Sequence, residues 1–221
     1  MSAGSSAKRA PPAAELRIGG FVPLSTCDWP GELVATVFCQ GCPWACGYCH
    51  NPHLVPPRAA KGIAWPDIVA FLDGRRGLLD GVVFSGGEPT LQPALPAAMR
   101  EVRALGFRVG LHSAGPYPER LDAVLPLVDW IGFDVKAAFD DYARITGVRG
   151  SGAKASASLR RVLASGVAHD VRTTVHAALL DRAALTRLTA DLEALGAREH
   201  RLQPFRAAGC TNEALLGKAA C

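Results

Sequence analysis

The sequence predicts an α/β fold with a parallel sheet, built either as a six-stranded partial barrel or as an open doubly wound sheet. Three observations predict it. Short apolar runs alternate with segments of helical spacing, which implies right-handed crossovers between parallel strands. No internal repeat and no Ser/Gly linker divides the 221 residues, so residues 15–221 read as one core domain. An eight-unit barrel takes about 250 residues, roughly 30 per unit, and this chain offers six strand candidates. In either architecture a ligand site lies at the carboxyl ends of the strands.

The elements follow in order. Residues 1–14 have no apolar stretch of secretory type and read as a disordered arm. The strand candidates are Leu33–Cys39, Gly81–Ser85, Phe107–His112, Trp130–Val135, Val171–His176 and Arg201–Pro204. Helical spacing marks Trp65–Arg75, Pro93–Leu105, Pro118–Leu127, Ala155–Ala164 and Arg182–Leu195. The last is clearest, with Leu185, Leu188, Leu192 and Leu195 on one stripe.

Composition narrows the function classes. Apolar residues make up 49% and charged residues 20%, as in ordinary globular proteins. A net charge of +4 permits an acidic ligand but does not demand nucleic acid. No apolar run approaches the roughly 18–20 residues of a membrane span. The expected setting is the reducing cytoplasm, with neither nucleic acid nor membrane as partner. There, clustered cysteines point to metal or redox chemistry rather than to structural disulfides.

Four of the seven cysteines fall between positions 39 and 49, spaced Cys39-x2-Cys42-x3-Cys46-x2-Cys49. Tight thiolate sets suit zinc or iron–sulfur. A zinc ribbon separates its CxxC pairs by about 15–20 residues, far more than here. Compact spacing is closer to iron–sulfur ligation. Alternation along Leu33–Cys39 puts Cys39 on one face with Ala35 and Val37, so it reads as a small buried apolar residue. The trio Cys42, Cys46 and Cys49 then stands alone. Three thiolates leave one iron of a four-iron cube without a protein ligand. An open coordination position is what distinguishes a catalytic metal site from a closed one.

This CxxxCxxC spacing after a first strand resembles the radical S-adenosylmethionine (SAM) enzymes. The longer string "FCQGCPWACGYCHNP", Phe38 to Pro52, resembles the activating enzymes of glycyl-radical proteins. The likeness extends to "DWPGELVATVF" before the loop and to "LQPF" near the C terminus, most of the chain. It implies a partial (β/α)6 radical SAM barrel. It also implies one [4Fe–4S] cluster on Cys42, Cys46 and Cys49, whose open iron chelates the SAM amino and carboxylate groups. Tyr48 falls where that family places an aromatic beside the adenine.

Further motifs fit the resemblance unevenly. "VVFSGGEPT" places Gly86, Gly87 and Glu88 after a strand; alone it reads as a turn, but it matches the family's Gly-Gly-Glu, which holds the SAM amino group. Asp134 and Lys136 share a side at a strand end, either as a salt-bridged terminus or, by resemblance, as an Asp-x-Lys whose lysine meets the SAM carboxylate. "LHSAG" stands where pyruvate formate-lyase activases carry Asp-Thr-Asn-Gly. It keeps Gly115 and, at Ser113, a hydroxyl; His112 reads as a hydrogen-bonded strand-end residue rather than a proton donor. Arg172, Thr174 and His176 share one face; inward, Arg172 and His176 meet SAM or substrate, and outward they are solvated. The 38 residues between Cys49 and Glu88 leave little room for a ferredoxin-like insert, so one cluster is expected, with Cys27, Cys210 and Cys221 as free thiols.

The function so implied resembles that of anaerobic ribonucleoside-triphosphate reductase activating proteins. Reduced flavodoxin or ferredoxin supplies an electron, and a glycyl-radical enzyme, anaerobic ribonucleotide reductase, is the partner. Two alternatives stay open: a radical SAM enzyme acting on a small molecule such as a 7-deazaguanine precursor, and a zinc or electron-transfer module without SAM chemistry.

Overall fold

Strands and helices alternate as the apolar pattern requires. The computed structural model describes residues 10–58 and 61–217. Residues 1–9 of the expected arm, and Cys221, lie outside the described residues. Within the rest of that arm, Ala13–Glu15 form a 3₁₀ turn with Ala13 buried.

Seven strands are present: β1 (Ile18–Ser25), β2 (Val34–Cys39), β3 (Gly81–Gly86), β4 (Arg108–Ser113), β5 (Trp130–Asp134), β6 (Ala168–Val175) and β7 (His200–Pro204). The helices are α1 (Trp65–Asp73), α2 (Leu95–Ala104), α3 (Pro118–Val124), α4 (Tyr142–Thr146), α5 (Ser151–Ser165), α6 (Arg182–Ala194) and α7 (Glu213–Leu216). The strands lie in sequence order in one open sheet, with β1 and β7 at its edges. β2 to β7 are parallel, and these are the six strands that the sequence predicts. β1 is additional and runs antiparallel to β2. Its Gly19–Gly20 pair and Pro23 lower β propensity, which hides it from pattern reading, yet Pro is tolerated on an edge strand.

The main core lies between the sheet and its helices. Ala35, Val37 and Cys39 of β2 and Val82 and Phe84 of β3 are fully buried there, with Leu72 of α1 and Met99 of α2. Cys39 is therefore a core residue, as its alternation predicts.

The concave face is filled differently. The loop between β1 and β2 folds into it, and Trp29 packs with Val34, Val83 and Trp130 in a separate small core. The Trp29 and Trp130 rings stack at 5.5 Å and 17°. Asp28 anchors the same loop: its Oδ2 accepts a bond from Thr36 Oγ1 at 2.7 Å. Its carbonyl accepts one from His112 Nε2, also at 2.7 Å.

Gly110 of β4 makes room for this plug. A Cβ there would lie 2.8 Å from Trp29 Cε3 and 2.9 Å from Val83 Cγ2. Gly110→Ala is expected to destabilise the protein by about 1–3 kcal/mol through overpacking. Trp29→Ala removes the obstructing ring, so the double variant should lose less than the sum of the singles. Urea midpoints of the four proteins measure both effects; strict additivity would contradict the packing described here.

Candidate active site

One cavity of about 420 Å³ opens at the carboxyl ends of the strands. Its wall gathers Cys42, Cys46 and Cys49 with Tyr48 from the loop after β2. Gly86, Gly87 and Glu88 come from the end of β3, and Ser113 from β4. Asp134 ends β5, Lys136 follows two residues later, and Arg172 comes from β6. Eleven of the twelve residues singled out in the sequence thus line one space. The exception is His176, which falls one residue past β6. Its Nε2 donates to Leu215 O at 3.2 Å, its Nδ1 accepts from Ala178 N, and its ring meets Phe205 edge-on.

The cysteine loop is folded by its own backbone. Gly41 and Cys42 N–H donate to Leu54 and Val55 carbonyls at 2.7 and 3.1 Å. Ala45 and Gly47 N–H donate to Thr146 and Ile145 carbonyls at 3.0 and 3.3 Å. The last two acceptors are C-terminal carbonyls of α4, groups a helix leaves unpaired. Trp44 packs edge-on against Tyr142 at 5.8 Å, and the Tyr142 hydroxyl accepts from Lys136 N at 3.0 Å. Five-residue α4 escaped the periodicity reading, yet it couples the loop to Lys136.

The two glycines after β3 are required by backbone approach. Gly86 has φ +113°, and a Cβ there would lie 2.5 Å from Cys39 N. A Cβ on Gly87 would run into Gly41 O. Instead Gly87 N donates to Cys39 O and Glu88 N to Gly41 O, both at 2.9 Å. The end of β3 is thereby sewn to the start of the cysteine loop.

Glu88 is a staple. Its Oε1 accepts from Thr90 N at 3.1 Å, Thr90 Oγ1 at 2.5 Å and Ser113 Oγ at 2.9 Å. Its Oε2 accepts from Ala114 N at 3.1 Å. A carboxylate has about four acceptor positions, and only Oε2 retains capacity for a ligand. Burial raises its pKa, against the four internal donors. Ser113, expected to contact SAM, is committed likewise: it also accepts from Gly115 N at 3.0 Å.

Asp134 is shared by two cations. Arg172 Nε donates to Oδ1 at 2.6 Å, and Lys136 Nζ lies 3.4 Å from Oδ2. Burial pushes the Asp134 carboxyl up, but Arg172 and Lys136 outweigh it and hold it well below the usual carboxylate range. Burial alone would lower Lys136; Asp134 raises it well above its ordinary value. Beside them, burial and the Arg172 guanidinium lower His112 to about 4. His112 is therefore neutral. Its Nε2 carries the proton given to Asp28 O, and its Nδ1 accepts from Ser85 Oγ at 3.1 Å.

The donor set has the chemistry that an iron–sulfur group with SAM requires. Cys39 is fully buried, and burial raises its thiol pKa strongly, with Glu88 adding to the effect. Cys42, Cys46 and Cys49 are each partly exposed, towards the cavity. Burial still raises Cys42 to about 12, so ligation there would release a proton. Among the described residues, no three His, Cys, Asp or Glu side chains are grouped so as to hold a single metal ion. The Tyr48 hydroxyl is buried without a hydrogen-bond partner, 5% of the residue being exposed. Lys136 Nζ lies 5.6 Å from its ring centre. An unsatisfied buried hydroxyl is costly unless a ligand completes it. Three thiols and a lysine lining one cavity, with the orphaned hydroxyl of Tyr48 buried in its wall, fit a cluster with a polar co-ligand.

Sequence reasoning missed Asp28 and Ser85, which line the same cavity. It also missed the tail after β7, whose Phe205 stacks on His50 at 5.5 Å. Among the described residues, no helix is long and apolar enough to cross a membrane.

Known proteins resemble this chain in sequence and in fold. A Methanocaldococcus jannaschii protein named as a glycyl-radical enzyme activating enzyme is 32% identical over 149 residues, covering 66% of this chain and 61% of that protein. The pyruvate formate-lyase-activating enzyme of Clostridium pasteurianum is 31% identical, covering 59% of this chain and 57% of the relative. The matched region thus spans about three fifths of these relatives. Among solved structures, TYW1 with a lysine–pyruvate adduct bound superposes with a TM-score of 0.60 at 17% identity, over 81% of this chain and 67% of that one. Native anSMEcpe with bound AdoMet gives 0.60 at 13% identity, over 76% and 49%. At such identities the likeness is one of fold. The sequence profile of the Radical SAM superfamily matches residues 36–181, from β2 to the start of α6, and the chain belongs to that superfamily.

Proposed function

We propose that this protein is a glycyl-radical activase whose partner is anaerobic ribonucleotide reductase, with reduced flavodoxin or ferredoxin as electron donor. The observation that carries the reading is the meeting of Cys42, Cys46 and Cys49 with Tyr48, Asp134 and Lys136 around one cavity in an open sheet. The activating-enzyme names of the relatives support it.

When bound, a [4Fe–4S] cluster with SAM would supply one-electron reductive cleavage of SAM, and with it the power to abstract a hydrogen atom from a glycine Cα of the partner. The chain's own residues hold and orient. Cys42, Cys46 and Cys49 would ligate three irons. Lys136, fixed by Asp134, would meet the SAM carboxylate, and the free capacity of Glu88 Oε2 its ammonium. Tyr48 would pack beside the adenine, its hydroxyl gaining the partner it lacks. Arg172 holds Asp134 in place, and no side-chain general base is needed.

Volume bears on the substrate. Ligand pockets run from about 300 to 1,000 Å³, and 420 Å³ is near the small end. It suits one nucleoside-sized ligand, with the second reactant entering from the open side. A loop of a folded protein enters in that way and brings its own closure.

Three outcomes are expected. Serine in place of Cys42, Cys46 or Cys49 should abolish iron and sulfide binding, while Cys39→Ser retains both; iron loss in Cys39→Ser would overturn the ligand assignment. Glu88→Ala strands four buried donors, at about 1–3 kcal/mol for an unsatisfied group. Thermal unfolding of the apoprotein should therefore fall by several degrees, and by less in Glu88→Gln, alongside any loss of SAM affinity. An unchanged melting point would deny the staple. Finally, reductant and SAM alone should give slow formation of 5′-deoxyadenosine. Adding the reductase should give a glycine-centred doublet by electron paramagnetic resonance. Fast stoichiometric SAM cleavage driven by a small metabolite, itself modified, would displace the activase reading.

A further inference from the structure

Gly47 follows Cys46 in the turn to Cys49 and is gripped from two sides. Its N–H donates to Ile145 O of α4 at 3.3 Å, and its carbonyl accepts from Asn212 Nδ2 at 3.0 Å. Asn212 belongs to the tail after β7, 165 residues away in sequence. The tail holds the loop again three residues on. The Phe205 ring stacks on His50 at 5.5 Å and 26°, crosses the His176 ring at 5.1 Å and 86°, and packs against the main core. Gly209 passes so close to His50 that a Cβ there would strike the His50 carbonyl. His176 closes the circuit by donating to Leu215 O at 3.2 Å. Two points of the loop, flanking Tyr48 and Cys49, are thus tied to a segment that is itself tied back to β6.

We propose that Phe205–Leu216 is a clasp that sets the cysteine loop, with Phe205 and Asn212 as positioning residues for Cys46 and Cys49. The loop's other anchors lie at its start (Gly41 and Cys42, on Leu54 and Val55) and on α4. Neither reaches the carbonyl of Gly47 or the ring of His50. Without the tail, the turn keeps its internal Cys49 N to Cys46 O bond, 3.0 Å, the grip of α4 on Gly47 N, and the packing of Cys46 and Tyr48 on the core, but nothing holds the Gly47 carbonyl or the His50 ring. Three thiols that hold separate irons must keep their spacing before the group arrives, and a loose turn gives up that preorganisation.

The inference rests on the reading of Cys42, Cys46 and Cys49 as cluster ligands, and its test separates the two. Asn212 also caps α7, where its Oδ1 accepts from Ala214 N. Asn212→Asp keeps that cap and turns the amide donor towards Gly47 O into a carboxylate oxygen, leaving the carbonyl only the longer contact with Cys210 Sγ at 3.9 Å. Phe205→Leu removes the stack, and Phe205→Tyr keeps it. Hydrogen exchange of the full-length apoprotein is the first readout. In Asn212→Asp and in Phe205→Leu, amides of Gly47 and Cys49 should exchange about fivefold faster, the effect of one lost bond, with β2 to β7 unchanged and Phe205→Tyr like wild type. The second readout is the reconstituted protein: the same two variants should take up iron and lose it in air several-fold faster than wild type. Unchanged exchange at Gly47 and Cys49 in both variants overturns the clasp, as does uniform acceleration across the strands, which would make the tail a general stabiliser. Failure of the wild type to take up iron at all would sink the cluster reading while leaving the exchange result standing.

Discussion

The site depends on one close backbone contact, where β3 ends against the end of β2. Gly87 N on Cys39 O and Glu88 N on Gly41 O bring two parallel strand ends together with no side chain between them. That contact fixes the direction in which the cysteine loop leaves the sheet. It also delivers Glu88, buried to 2% exposure, into the gap towards β4, where its carboxylate collects donors from Thr90, Ser113 and Ala114. Three strand ends are thereby locked before any ligand binds. A side chain larger than hydrogen at either glycine would push the loop and the staple apart together.

Charge is arranged around this frame in the same economical way. Asp134 is the common partner of Arg172 and Lys136, so neither cation is left alone in a partly buried wall. Below them His112 stays neutral and spends its one proton on the Asp28 carbonyl. Asp134, Arg172, Lys136 and His112 are therefore polar without being unsatisfied, as buried polar groups require, in contrast to the Tyr48 hydroxyl and His50 Nε2 on the same cavity. Room for the Arg172 side chain comes from Gly132, where a Cβ would lie 2.9 Å from Arg172 Nη1 and 3.0 Å from His112 Cδ2.

Much of the fold was legible in the sequence because its signals are local. Six apolar runs and five helical stripes each declare themselves within a short stretch of chain, and β2 to β7 follow. β1 was not legible: Gly19, Gly20 and Pro23 break the pattern, and a register irregularity follows Val22. α4 is too short for a period to show. The site divides along the same line. Cys42, Cys46, Cys49 and Gly86–Glu88 are runs with fixed spacing. The hold of Asn212 on Gly47 has no local signature, since only the folded chain brings residues 165 positions apart into contact. His176 misled for a related reason: the alternation that groups it with Arg172 stops at Val175, and beyond that the chain turns towards Leu215. Glu88 was found by its motif, but its commitment to Ser113 and Ala114 on the neighbouring strand end could not be read from it.

The plug made by Asp28 and Trp29 has a consequence for how such a protein changes over time. In a closed barrel the floor of the ligand chamber consists of side chains from the strands, so deepening it disturbs the packing of the whole sheet. Here part of the chamber lining, Cys27 and Asp28, is a loop between two antiparallel strands at one edge, held by a ring stack and a few hydrogen bonds. Loops accept insertion and substitution far more readily than strands. The depth of the chamber is thus a separable trait. It can be lengthened or shortened at residues 26–31 while the strand ends that carry the chemistry stay where they are, so a lineage can alter what fits inside without rebuilding the machinery above it.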